Sequence, residues 1–277
     1  MKKRTGEKNA ERKESLKDIA EKKTIFMTFV YIVLSVYAVV AVAMYLPKGE
    51  YKKVFGGVLT LAFFAVPGLI EKMLKMEFPP ALKITIILFI FGCQILGEVH
   101  CFYLRGWHWD KLMHATSGFI FAALGYALFN IHRQKEPLPP LYLAAVAVCF
   151  SIMVAVLWEF YEFGADRLLA IDMQKDTVIN TISSVMLDPT NSNVPVVVKD
   201  IADVAVNGES FGFGGYLDIG LFDTMGDLFA NTVGALVFYI VVYIETKTKR
   251  SFLHKIVPIW RDTVEPDLEA VEEKVLR

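Results

Sequence analysis

Six long apolar blocks decide what this chain can fold into. They lie at residues 24–46, 54–70, 82–103, 112–131, 141–164 and 225–244 of a 277-residue sequence. A helix rises about 1.5 Å per residue, so about 20 apolar residues carry it across a hydrocarbon layer about 30 Å thick. Within such a layer a helix satisfies its own backbone, which an open sheet or an irregular loop cannot do. Apolar residues make up 55% of the chain, above the roughly 45–50% usual for soluble domains. The expected fold is therefore all-α: a polytopic bundle of about six transmembrane helices, residues 24–244, in contact with a lipid bilayer.

Breakers punctuate the blocks where turns are needed. Pro67-Gly68 predicts a kink near the end of the second span, Pro79-Pro80 precedes the third, and Pro137, Pro139 and Pro140 precede the fifth. The N-terminal tail, residues 1–23, is strongly charged and predicts a loose surface helix or an unfolded arm. An Ala41-Val42-Ala43 triplet resembles a signal-cleavage site, but the first block is too long for a signal peptide and reads as an uncleaved span. Residues 245–277 form a polar tail ending in an acidic segment, 264–277, with helical character. Residues 165–224 lack a 20-residue apolar block. They contain Gly208, Gly212, Gly214, Gly215 and Gly220 and are longer than a plain connector. Weak 3.6-residue patterning at 178–187 and 197–206 predicts short interfacial helices within a lid or rim.

Orientation follows from lysine and arginine near the span ends. The first tail carries nine; Lys72, Lys75, Lys83, Arg133, Lys135, Lys247, Lys249, Arg250 and Lys255 fall on the same side. Lys48, Lys52, Lys53, Arg105, Lys111, Arg167, Lys175 and Lys199 fall on the other. Both termini are expected in the cytoplasm, with the 165–224 loop outside a plasma membrane. The basic residues flank spans instead of forming an aromatic-interleaved patch, which argues against nucleic acid. Cys93, Cys101 and Cys149 give neither a disulfide framework nor a CxxC metal spacing.

With that orientation, four polar stripes meet at the outer ends of spans three to six. They are Gln94, Glu98 and Cys101; Asp110 and His114; Ser151, Ala155, Glu159, Glu162 and Asp166; and Asp223, Asp227, Asn231 and Gly234. Spacings of three and four keep each set on one helix face. A charge deep in a bilayer costs about 2.5–3.5 kcal/mol on insertion scales, so such residues face a bundle interior or a watery cavity and commonly mark function.

Glu98, Asp110, His114, Glu159, Glu162, Asp223 and Asp227 are the candidate ligands of a divalent metal ion. Mixed oxygen and imidazole donors suit Zn²⁺, Mn²⁺ or Fe²⁺, although no HExxH pattern is present. His114, Asp110 and Glu159 are the candidate catalytic groups, with Asn231, His100, Lys111 and Trp158 in supporting or structural roles. A proton-coupled or substrate-binding path and a structural polar network are the alternatives. Trp107, Trp109, Trp158 and Tyr161 read as an interfacial aromatic belt. His132 and His254 read as solvated, and Ser117 and Ser210 lack a nucleophile's setting.

Several of these segments carry a resemblance. Gly97-Glu98-Val99-His100, Trp109-Asp110-Lys111-Leu112-Met113-His114, Leu157-Trp158-Glu159 with Glu162, and Asp223-Thr224-Met225 followed by Asp227 and Asn231-Thr232-Val233-Gly234-Ala235 look like bacterial YjdF-like membrane proteins across roughly residues 60–240. The order Asp-Lys-x-x-His, Trp-Glu, then Asp-x-x-x-Asn-x-x-Gly-Ala is more distantly similar to the VanZ family of multi-pass membrane proteins associated with glycopeptide resistance. Glu162 stands where VanZ-like proteins have Gln, and the join between the last two motifs is longer here. The resemblance implies the multi-pass fold and supports the site residues, and it implies no substrate. The working expectation is a metal-dependent or acid–base enzyme acting on an envelope lipid or amphiphile.

Overall fold

The computed structural model describes residues 2–130, 138–248 and 250–260, and the side chains among them except those of residues 2–21, 23 and 107. Expectations concerning Ile131, His132, Arg133, Lys135, Pro137, Lys249, the acidic segment 264–277 and the side chain of Trp107 lie outside what is described. Among the described residues, six helices are long and apolar enough to cross a membrane: Thr24–Lys48, Tyr51–Met73, Pro80–Val99, His108–Phe129, Pro140–Leu169 and Leu221–Thr248. The chain is mostly helical.

The helices start and stop where the sequence chemistry demands. α1 (Lys2–Tyr45) begins in the charged tail and continues into the first span without a break, in place of a separate surface helix or unfolded arm. The second span is two helices, α2 (Tyr51–Phe64) and α3 (Val66–Met73), with Pro67 in the first turn of α3. The break at Ala65 is the expected proline effect, because the proline ring and missing N–H interrupt the ladder. α4 (Pro80–Phe91) starts at a proline preset for the first helical turn and runs into a π-helical stretch, Gly92–Val99. α5 (Trp107–Phe129), α6 (Pro140–Leu169) and α7 (Leu221–Thr248) complete the set.

The chain divides into two compact units, Met1–Ile152 with Asn231–Arg277, and Met153–Ala230. The first has a core built from Phe78, Leu82, Tyr126, Leu143, Phe238 and Val242, interleaved with alanines. Its tightest contact is between α5 and α7. A Cβ on Gly234 would lie 1.8 Å from the Ala115 carbonyl oxygen, and one on Gly118 would lie 2.1 Å from that of Asn231. The two backbones touch, which is how small residues pack helices when lipid removes the hydrophobic drive. Residues 250–260 belong to this unit too. β1 (Met76–Glu77) pairs antiparallel with β8 (Ile259–Trp260), and Trp260 Nε1 donates to the Ala127 carbonyl at 2.9 Å.

The second unit holds the C-terminal part of α6, the start of α7 and the segment between them. That segment is strand-based, which corrects the expected interfacial helices. β2 (Thr177–Ile179) pairs with β7 (Tyr216–Asp218), β3 (Ile182–Ser184) with β4 (Val196–Val198), and β5 (Ala205–Val206) with β6 (Glu209–Ser210). Short apolar runs do not separate a period of 2 from one of 3.6. Here β-branched residues and turn chemistry decide. Asn207 and Gly208 both have positive φ, the two-residue hairpin turn that matches strand twist. Asn180 Nδ2 donates to the carbonyls of Ile201 and Gly214, tying separate passes together.

Candidate functional site

α5 begins with the densest chemistry in the first unit. Asp110 lies in its first turn, where the helix dipole favours negative charge. Asp110 Oδ1 stands 3.6 Å from His114 Nε2 one turn along, and Oδ2 stands 3.5 Å from Lys111 Nζ. A carboxylate is thus flanked by an imidazole and an ammonium, all three half-buried. Trp109 belongs to this corner. Its Nε1 donates to the Gly92 carbonyl at 3.2 Å, and its ring meets Phe102 edge-on.

One turn deeper, a polar node joins three helices. Asn231 Nδ2 donates to Ser117 Oγ at 3.2 Å, and Ser151 Oγ donates to the Gly118 carbonyl at 2.9 Å and approaches Asn231 Oδ1 at 3.3 Å. Ser117 Oγ also donates to the His114 carbonyl. Asn231 and Ser151 are fully buried. Buried polar groups of this kind are hydrogen-bonded or costly, and this node is the structural part of the expected stripes. Ser117, set aside for want of a nucleophile's setting, serves here as a connector.

The third-span stripe is corrected. The π-helical winding of Gly92–Val99 changes the residue phase, and Cys101 has left the helix with φ of 58°. With Cys101 outside the helix, Gln94, Glu98 and Cys101 do not form the expected three-residue face. Glu98 is exposed, while His100 is held elsewhere, its Nε2 2.8 Å from Tyr37 Oη of α1.

In the second unit, α6 is inverted relative to a helix in water. Glu159 and Glu162 are under one-tenth exposed, whereas Phe160 is 67% exposed and Leu157, Trp158, Tyr161 and Phe163 are exposed beside it. Lipid as the solvent accounts for that pattern, because polar side chains then turn inward. Trp158 Nε1 donates to Glu162 Oε1 at 2.9 Å. Asp227, on α7, is 1% exposed.

Asp166 and Asp223 have a different use. Asp166 accepts from the backbone amides of Met173 and Gln174, and Asp223 accepts from that of Lys175 at 2.7 Å. Gln174 Nε2 donates to Thr224 Oγ1. These two carboxylates fasten residues 173–175 to the ends of α6 and α7. The Lys175 amide that Asp223 accepts from lies 48 residues away, a separation that no local spacing reveals.

A further buried carboxylate went unnoticed in the sequence. Glu71, at the end of the second span, accepts from the Phe78 amide at 2.6 Å and pairs with Lys83 Nζ at 2.9 Å. The signal available was an acid placed just before Pro79-Pro80 and a lysine just after, which could close that turn.

The donor chemistry of Asp110 and His114 fits a divalent cation. Two ligand atoms 3.6 Å apart can both bond an ion at about 2.0–2.2 Å with a roughly tetrahedral angle between them.

Residues 29–248 match the family described as predicted membrane protein (DUF2238), and the chain belongs to that family. It is a multi-pass membrane protein within a lipid bilayer. An "Uncharacterized protein" of Thermotoga maritima is 29% identical over 105 residues, which is 37% of this chain. The match spans about half of that relative, 53% of its length. No solved structure matches the chain.

Proposed function

We propose that the chain is a plasma-membrane enzyme of the cell envelope that uses a divalent cation at Asp110 and His114 to act on a lipid or related amphiphile. The observation that carries this reading is the carboxylate–imidazole pair at the first turns of α5, with its atoms 3.6 Å apart. Mixed oxygen and nitrogen donors suit Zn²⁺, Mn²⁺ or Fe²⁺, and such an ion polarises an ester or phosphoryl oxygen or activates water. Lys111 beside Asp110 would offset charge developing on an anionic substrate. Both termini are proposed to be cytoplasmic, as the lysine and arginine distribution favours, with residues 165–224 outside.

Metal analysis of the purified chain tests this directly. Near-stoichiometric Zn²⁺, Mn²⁺ or Fe²⁺ is expected in the wild type, and a large loss in both Asp110→Asn and His114→Ala. Wild-type protein without bound metal after growth in supplemented medium would sink the reading.

One observation favours a proton path as the second reading. The buried stripe of α6 runs from Ser151 to Glu162 on one continuous helix, about 16 Å at helical rise. In liposomes, Glu159→Gln should then abolish proton-driven uptake while leaving metal content unchanged.

A further inference from the structure

We propose that the outward groove along α5 and α7 in the first unit binds one anionic phospholipid, its acyl chain in the groove and its phosphate at Lys255. The upper part of the groove is lined by Ala115, Phe119, Gly234 and Val237. Its floor is the place where the two backbones touch, so the crossing leaves a trough between the side-chain walls instead of a ridge. Phe119 also lines the next stretch, which continues through Val241, Ile244 and Ile256 to Lys255. Thr116 also lines the upper part, its hydroxyl turned back to the Leu112 carbonyl; the lining is otherwise apolar apart from the lysine, as an acyl chain requires.

Length selects the occupant. Gly234 is at the middle of α7, and Ile244 lies ten residues further on. That distance is about 15 Å, half of a hydrocarbon layer about 30 Å thick. The groove therefore spans one leaflet, from the bilayer centre to the interface where α7 ends, and the one charge among its described lining residues sits where a lipid headgroup would lie.

Charge selects the class of lipid. Lys247, Arg250 and Lys255 are all exposed at that end. Glu245, an acid of the same helix end, is committed to the fold, its Oε2 accepting from the amides of Phe252 and Leu253. Lysines at this depth favour anionic headgroups, and none of these residues belongs to the proposed catalytic pair.

Native mass spectrometry of the full chain with phosphatidylglycerol and phosphatidylcholine of equal chain length reads the site. One phosphatidylglycerol per chain is expected to survive, with phosphatidylcholine retained much less. Lys255→Gln should weaken phosphatidylglycerol retention about fivefold, as one interfacial lysine predicts, and Lys255→Arg should restore it. Lys72→Gln, on α3, should leave it unchanged. Val237→Trp, which fills the trough, should lower retention of both lipids; Ile244→Trp replaces it if the first variant loses its thermal transition.

Equal retention of the two lipids by the wild type would overturn the proposal, as would indifference to Lys255→Gln. So would a lipid-independent dimer that Val237→Trp dissociates, because the groove would then be an interface between copies of the chain.

Discussion

Glu71 and Asp110 are both carboxylates set near the ends of membrane-crossing helices, and they are held in opposite ways. Glu71 is gripped, with an amide at 2.6 Å and an ammonium at 2.9 Å. Asp110 stands 3.5 Å from its ammonium and 3.6 Å from its imidazole. Short charge-assisted contacts lock a turn. Longer ones are common in sites that tighten only when a ligand arrives. The contrast separates a carboxylate that builds the bundle from one that can still change partners.

The largest expected effect tests that separation. Glu71→Ala leaves the Lys83 ammonium without its anion and the Phe78 amide without its acceptor. Breaking a buried pair from one side costs about 3–5 kcal/mol, and the partial exposure of both side chains points to the lower end. Asp110→Asn, which keeps the side chain's shape and loses only longer contacts, should cost less and should act on metal content instead. Denaturation of both variants in the same detergent makes the comparison. Equal destabilisation would erase the distinction between them.

A smaller effect is expected at the carboxylates that fasten residues 173–175. A hydrogen bond to a charged acceptor contributes about 1.5–3 kcal/mol, and a neutral amide oxygen keeps part of that. Asp166→Asn, which weakens two such bonds, should loosen the segment by about 2 kcal/mol. Asp223→Asn, which weakens one, should loosen it by about half as much. Hydrogen exchange at the amides of Met173, Gln174 and Lys175 reads both. If neither variant speeds exchange there, the two carboxylates do not fasten the segment.

The spans and the inward stripes were legible because both are local. Twenty apolar residues predict a crossing without reference to any other part of the chain, and Pro67 and Pro80 mark helix boundaries through their own rings. Likewise, Ser151, Ala155, Glu159 and Glu162 share a face by spacing alone, and all four are buried. What could not be read depends on distant partners or on where a helix stops. The helix ended at Val99, which removed Cys101 from its expected alignment. His100 found Tyr37, 63 residues earlier. The strands between α6 and α7 took short Val- and Ile-rich runs whose period was ambiguous until the Asn207-Gly208 turn and the Asn180 amide fixed their pairing.

Two aspartates of the second unit carry the comparison to its smallest effect, because their environments push them in opposite directions. Asp188 accepts from the amides and hydroxyls of Thr190 and Ser192. Those bonds, the Thr190 hydroxyl foremost, hold its carboxyl well below the ordinary value. Asp176 is raised, first by burial and then by the nearby charge of Asp172. A depressed carboxylate adds stability above its unfolded pKa of about 3.9 and loses it only as pH falls through the lower folded value. A raised one does the reverse: it weakens the folded state while ionised, and acid relieves the penalty as it takes up a proton. Between pH 5 and pH 3, the strand following Asp176 should therefore hold or gain protection, while the turn at 188–192 stays closed. Hydrogen exchange at Val178, Thr190 and Ser192 across that range is the measurement. Opening at Thr190 and Ser192 already at pH 4 would show that Asp188 is held no more firmly than a carboxylate in water.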